Sequence, residues 1–160
     1  MRLSTLAKTA GGSFAAAAAG ALATRPAVQS SWYDRLKKPS FQPPRQAFPI
    51  AWNILYSDIA AVSASTLDTL NDRGDTEQAR QYTRALAANL VLNAGWSWVF
   101  FNQRKLGPAA LLSGLLTVSS ADLARRAGSV NPSAGAALAA YPLWCGFATA
   151  LSTRIWQLNR

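Results

Sequence analysis

The chain of 160 residues contains no histidine and a single cysteine, Cys145. The lack of histidine excludes histidine acid–base catalysis and histidine-ligated metal or haem. One cysteine excludes an intramolecular disulfide and a cysteine-ligated metal cluster. No ionisable catalytic triad and no glycine-rich phosphate loop is found either, which argues against an ordinary hydrolase or transferase. The sequence therefore predicts no metal site and no bound cofactor.

Charged residues are also scarce, at 14% of the chain against about 25% in ordinary soluble domains. No Lys, Arg, Asp or Glu occurs between Arg84 and Arg104, or between Arg126 and Arg154. Each gap can supply the roughly 20 apolar residues that cross a bilayer. A soluble helix of this length would carry a charged outer stripe. Two shorter stretches, 9–24 and 106–121, are also uncharged, and a further stretch, 47–67, contains Asp58 as its only charged residue.

These stretches predict an all-α fold, a single domain that forms an integral membrane bundle of five transmembrane helices. Inside hydrocarbon every backbone N–H and C=O must bond internally, which favours helices. Proline restricts the connections, because Arg25-Pro26 is expected to end the first helix and several prolines interrupt residues 26–46. We expect a capping loop at 26–46, a water-exposed connection at 71–81, and helices at about 3–24, 47–70, 82–101, 107–126 and 133–158.

The net charge of +9 could indicate nucleic-acid binding. The basic residues, however, lie between the apolar stretches and not on one face. This distribution is typical of loops at a membrane surface, so it predicts membrane lipid and no nucleic acid as a partner.

Three stretches carry patterns beyond hydropathy. The first is Trp32-Tyr33-Asp34-x-Leu36-x-Lys38-Pro39-x-Phe41-x-Pro43-Pro44, continuing to Phe48-Pro49-x-x-Trp52-x-x-Leu55-Tyr56. The second is Asn89-Leu90-x-Leu92-Asn93-x-x-Trp96-x-x-x-Phe100-Phe101. The third is Tyr141-x-x-Trp144-x-x-x-Ala148-Thr149-x-Leu151, continuing to Ile155-Trp156. Together they closely resemble the TspO family, the tryptophan-rich sensory proteins related to the translocator protein (peripheral benzodiazepine receptor).

The resemblance covers about Trp32–Asn159 and implies five transmembrane helices around a pocket that the first loop caps. It also implies binding of porphyrins and other planar hydrophobic ligands, cholesterol binding in animal members, light-dependent porphyrin degradation in some bacterial members, and homodimers. Met1–Thr24 leaves two interpretations open, a signal peptide with Ala21-Leu22-Ala23 at its cleavage site or a retained first helix. The resemblance favours the retained helix.

Helical spacing predicts a pocket independently of the resemblance. Large aromatic residues next to small ones on one helix face form a slot, and an amide inside hydrocarbon requires a partner. Three sets of residues each share a face: Tyr141, Trp144, Ala148 and Leu151; Trp52 and Tyr56; Asn89, Asn93 and Trp96.

The predicted ligand site combines these faces with the capping loop. The resemblance implies that any chemistry is light-driven, with Trp52 and Trp144 as its candidate residues, and no other catalytic residue is predicted. The basic residues Lys37, Lys38 and Arg45 are expected to pair with porphyrin propionates. The predicted lining is Phe41 and Phe48 on the capping side, with Trp52, Tyr56, Asn93, Trp96, Trp144, Ala148 and Leu151 in the helices.

Several of these residues have simpler alternative roles. Trp32 and Trp156 fit anchors at the membrane interface, and Asn93 fits an interhelical hydrogen bond worth about 0.6–2 kcal/mol. Cys145 could be an axial haem thiolate or ordinary packing, and packing is preferred. Asp58 could contact the ligand or act as a proton-linked switch; alternatively it is a protonated or hydrogen-bonded carboxyl that faces a neighbouring helix.

Three classes of function follow. The protein binds a tetrapyrrole and promotes its light-dependent degradation, or it carries porphyrins, lipids or sterols unchanged, or it is a stress sensor that acts through a protein partner. Leu151-Ser152-Thr153-Arg154 lacks the Asn and Tyr of the animal sterol motif, which argues against sterol recognition. Arginine outnumbers lysine twelve to four, and alanine is abundant. Both are typical of a GC-rich bacterial genome, which favours a bacterial cell envelope over a mitochondrial outer membrane.

Overall fold

The computed structural model describes residues 1–160 and contains helices but no strand, so the predicted all-α class is confirmed. One short helix lies in the first connection. The helices are α1 (Leu3–Val28), α2 (Ser31–Arg35), α3 (Ala47–Asp72), α4 (Thr76–Ser97) with a π-helical extension (Trp98–Asn102), α5 (Leu106–Val130), α6 (Pro132–Leu138) and α7 (Ala140–Leu158).

Five long rods form one bundle, with α6 and α7 following each other in the fifth. The first rod, α1, packs against α3 and α4, while α5 packs against α4, α6 and α7. By length and composition two rods can cross a membrane, Leu106–Val130 and Pro132–Leu158. Membrane crossing by the other three rods stays a prediction.

Helix α1 is bonded to its neighbours at several levels along its length. The Thr9 hydroxyl donates a hydrogen bond to the Ala60 carbonyl on α3, at 2.8 Å. The indole N–H of Trp98 donates to the Ala19 carbonyl, at 2.9 Å. These two bonds join α1 to α3 and to the π-helical extension of α4.

The first helix ends later than expected, because α1 continues through Pro26 to Val28. The prediction that Arg25-Pro26 ends it was wrong. A proline in the last turn forfeits only the one hydrogen bond that its missing N–H would donate. The capping segment is also not all loop. Helix α2 begins after Ser30, whose hydroxyl accepts the Tyr33 N–H at 3.4 Å.

Helix α4 begins at Thr76, six residues before the predicted start, and the polar connection shortens to 73–75. Gly74 makes the turn with φ +73°, a conformation that glycine adopts without strain. Asp75 then caps the helix, since its carboxylate accepts the Gln78 backbone N–H at 3.0 Å and side-chain N–H at 2.6 Å. The hydrophobic pattern missed the start of this helix because its first turns are polar. The Asp75-x-x-Gln78 spacing, however, is a capping signal that indicates a helix start.

The last two rods also differ from the predicted bounds. Helix α5 runs to Val130, beyond the predicted end at 126, and the fifth rod is interrupted at Ala139 between α6 and α7. Pro142 accounts for the interruption, because it has no N–H for the carbonyl one turn earlier. Close backbone contact accompanies the longer α5: a Cβ on Gly135 would lie 2.5 Å from the Gly128 Cα.

Candidate functional site

A cavity of about 430 Å³ lies at the bundle end covered by the capping segment, between α1, α3, α4 and α7. Its size is within the roughly 300–1,000 Å³ of small-molecule sites. The fold brings eight of the nine predicted site residues to its wall, although ligand binding by them stays a prediction. These eight are Phe48, Trp52, Tyr56, Asn93, Trp96, Trp144, Ala148 and Leu151.

The ninth residue, Phe41, lies on the capping segment but outside the cavity wall. Its side chain is 49% exposed, and its ring packs edge-on against Phe147 with centroids 6.3 Å apart. The structure therefore places Phe41 on the outer side of the cap. It does not bring Phe41 together with the other predicted site residues.

Aromatic rings form the deep wall of the cavity. Trp52 lies at its centre, with ring centroids 5.6 Å from Tyr56 and 6.4 Å from Trp144. The Trp52 and Trp144 rings are perpendicular, at 89°, and Phe48 meets Trp144 edge-on at 6.1 Å. Edge-to-face packing of this kind is a preferred arrangement of aromatic pairs. The wall is therefore an apolar surface of mutually packed rings.

A hydrogen-bonded chain supports this wall from behind. The Tyr56 hydroxyl donates to Asn93 Oδ1 at 2.7 Å, and Asn93 Nδ2 donates to the Tyr141 hydroxyl at 3.0 Å. Tyr141 donates onward to Asn89 Oδ1 at 2.8 Å, and Asn89 Nδ2 donates to the Ser119 hydroxyl at 3.1 Å. The chain joins α3, α4, α7 and α5. Asn93 thus makes interhelical bonds while it also lines the cavity.

Two indole N–H groups on the cavity wall have no hydrogen-bond partner. They are Nε1 of Trp96 and Nε1 of Trp144, both buried. The side-chain amide oxygen of Gln42, Oε1, on the capping side of the cavity, is buried and unpaired as well. An unpaired buried polar group costs about 1–3 kcal/mol. A ligand with suitably placed acceptors could remove part of this cost.

Several contacts within the capping segment converge on Tyr33 and its neighbour Asp34. Lys38 Nζ donates to the Tyr33 carbonyl at 2.5 Å and lies 4.4 Å from the Tyr33 ring centroid. The Arg45 guanidinium pairs with Asp34 at 2.6 Å. Burial lowers the pKa of the Lys38 ammonium, and the charge of Arg45 lowers it further. Burial also raises the pKa of the Tyr33 hydroxyl, against the effect of a hydrogen bond from Gln42.

The basic residues of the cavity differ in part from those predicted. Arg45 lines the cavity, whereas Lys37 and Lys38 do not. Lys37 faces outward, and its backbone bonds to Asn159. Arg25 lines the cavity and was missed. Its place in the last turn of α1 hid it, because the sequence analysis treated it only as part of a helix stop.

Asp58 and Cys145, the two residues with unusual candidate roles, lie away from the cavity. Asp58 is not a lining residue, and its Oδ2 is buried without a hydrogen-bond partner. Asp58 makes no side-chain hydrogen bond, so the hydrogen-bonded form of its simpler alternative role is not found, and the protonated form stays a prediction. Cys145 is 1% exposed in the core and does not line the cavity, which agrees with packing and not with an axial ligand.

Trp32 and Trp156 also lie outside the cavity wall. Trp156 is 38% exposed near the chain end and its ring lies 5.7 Å from the Arg160 guanidinium. Trp32 packs against Phe100 and under the Arg104 guanidinium, which is 5.1 Å from the ring. Indoles beside cations at helix ends fit the interface-anchor role.

Sequence comparisons identify the family of the chain. The family described as the TspO/MBR family matches residues 9–157. The chain is 33% identical over 129 residues to Protein CrtK of Rhodobacter capsulatus (81% of this chain, 79% of the relative). It is 31% identical over 147 residues to the tryptophan-rich sensory protein of Cereibacter sphaeroides (89% and 87%). It is 35% identical over 130 residues to the human translocator protein (80% and 75%).

Proposed function

Because this chain belongs to the TspO/MBR family of membrane proteins, we propose that it binds a protoporphyrin-type tetrapyrrole in a cavity inside the membrane. The observation that carries the proposal is the cavity of about 430 Å³ with Trp52 and Trp144 in its wall. A mostly apolar cavity with stackable aromatics and a few polar groups suits a planar macrocycle.

The membrane arrangement is part of the same proposal. All five rods cross the bilayer, the capping segment lies at one surface, and the protein forms a homodimer in a bacterial cell envelope. The outer faces of two rods support the crossing: Leu111, Val118 and Leu143 are 74%, 69% and 75% exposed. Large apolar side chains directed outward in this way are expected where lipid surrounds a bundle.

Light-dependent degradation of the tetrapyrrole is the proposed chemistry, and a contiguous set of aromatic rings favours it. Trp52 contacts Trp144, Tyr56 and Tyr141, with ring centroids 5.6–6.4 Å apart. An excited ligand beside Trp52 or Trp144 would therefore adjoin oxidisable rings. The competing role is a carrier or sensor that binds the ligand and leaves it unchanged.

A titration of the purified protein in detergent tests binding. Protoporphyrin IX should quench tryptophan fluorescence saturably, and cholesterol measured in parallel should bind more weakly. Trp144→Phe should weaken protoporphyrin binding by about fivefold, since an aromatic contact contributes roughly 0.5–1.5 kcal/mol. Trp156→Phe is the matched control outside the cavity and should leave the affinity unchanged. Linear, unsaturable quenching would contradict the proposal.

Illumination of the same complex separates enzyme from carrier. New absorbance products that form with the wild type and are lost in Trp144→Phe, at ligand concentrations that saturate both proteins, indicate degradation. Saturable binding without products indicates a carrier or sensor.

A further inference from the structure

The cavity wall contains two cationic side chains, Arg25 and Arg45, and no Asp or Glu. Arg45 is already balanced by its ion pair with Asp34. The Arg25 side chain forms no ion pair and no hydrogen bond, whereas five other arginines form ion pairs. Arg25 is therefore the one lining cation whose charge has no partner within the protein.

The side of α1 that leads to Arg25 is lined by small residues. Ala17, Gly20, Ala21 and Thr24 all line the cavity, at helical spacings that place them on one face. A Cβ on Gly20 would lie 3.1 Å from the Ser97 hydroxyl oxygen, so the α1 backbone approaches α4 closely there. A flat ligand can lie against this face, and an acidic group at its edge then comes to the Arg25 end.

We propose that Arg25 pairs with a carboxylate of the bound tetrapyrrole and determines the preference for acidic over neutral ligands. This inference rests on the proposed function. The guanidinium can donate two parallel hydrogen bonds to one carboxylate, a geometry that a neutral alcohol or ester cannot match. The basic residues of the cap do not compete for this role, because Lys38 is bonded to backbone carbonyls and Arg45 to Asp34.

The test compares protoporphyrin IX with its dimethyl ester, which keeps the macrocycle and removes both negative charges. Both ligands are titrated into the full-length wild type, Arg25→Gln, Arg25→Lys and Lys37→Gln. The last variant removes one exposed positive charge from the cap without changing the cavity wall, so it controls for the general field of the surface. Far-UV circular dichroism checks that each variant retains its helical content.

We expect Arg25→Gln to weaken binding of the diacid roughly fivefold, the upper range for a partly exposed ion pair, and to leave ester binding unchanged. Arg25→Lys should give a diacid affinity between those of the wild type and Arg25→Gln, because an ammonium keeps the charge but not the two parallel hydrogen bonds. Lys37→Gln should retain all of the diacid affinity. Equal diacid affinity in wild type and Arg25→Gln would overturn the assignment of Arg25 while saturable binding still supports the proposed function. If the wild type binds neither porphyrin saturably, both proposals fail.

Discussion

The two ends of the bundle differ in how their polar groups are paired. At the end opposite the cavity, the Arg2 side chain pairs with Asp72, and the Arg2 backbone N–H and the Thr5 hydroxyl donate to Asp68. At the cavity end, large aromatic rings line the cavity, and the indole N–H groups of Trp96 and Trp144 remain unpaired.

The balance of charge shows the same contrast. A small polar recess of about 270 Å³ at the closed end, the end of the bundle opposite the cavity, contains Arg125 and Arg126, and both pair with Asp122. At the cavity end Arg25 has no such partner. The ion pairs of the closed end therefore help to secure the fold, and the unpaired groups of the cavity end are what the proposed ligand site would leave, since such sites depart from optimal stability.

The largest effect should come from a single methyl group at the closed end. Gly135→Ala would put a Cβ 2.5 Å from the Gly128 Cα, and neither backbone can move without separating α5 from α6. We expect a loss of about 3 kcal/mol, at the upper end for overpacking, and a lower midpoint in a thermal melt followed by circular dichroism. Gly11→Ala is the matched control, since nothing lies within 4 Å of its Cβ. Equal melting of the two variants would show that the close contact is not needed.

Two tyrosines compare the ends directly. Tyr141→Phe removes the hydroxyl that joins Asn93 to Asn89 behind the cavity, and Tyr82→Phe removes the one that bonds Ser63, away from the cavity. Both changes should cost about 1–3 kcal/mol, because buried partners lose a hydrogen bond. Only Tyr141→Phe should weaken protoporphyrin binding, since Asn93 lines the cavity. A similar loss of affinity in both variants would mean that the ends are not separable.

A smaller effect is expected from the tether of α1. Thr5→Val removes the hydroxyl that donates to Asp68 at 2.6 Å and preserves the side-chain shape. We expect a modest loss of stability, measured as a lower thermal midpoint, because Asp68 keeps the Arg2 backbone N–H as its second donor. Protoporphyrin affinity should not change, and a drop in affinity would link the closed end to the site.

The smallest effect is expected at Asp58. Because this carboxyl does not line the cavity, Asp58→Asn should change protoporphyrin affinity by no more than about a factor of two, the range for changes away from special features. The wild type and the variant should give parallel affinity profiles between pH 5 and 8. A pH dependence present in the wild type and absent from the variant would instead support the proton-linked switch.

Much of the site was predictable because it depends on local helical spacing. Trp144, Ala148 and Leu151 share a face of any helix that contains them, and that face is found at the cavity. Phe41 was harder to place, because the path of the proline-rich cap depends on contacts with distant residues such as Phe147. Arg25 was missed for a related reason: whether α1 continues through Pro26 depends on the packing of its last turn, not on the proline alone.

By itself, the sequence determined the helical class, because uncharged stretches of this length permit little else, and it determined which aromatic residues could share a face. The tertiary structure alone decided which polar groups have partners. Arg45 and Arg25 are the same residue type near the same cavity, yet only Arg45 meets an acid. Pairing of Arg45 with Asp34 depends on how the capping segment folds back between them, a path that local helical spacing does not specify.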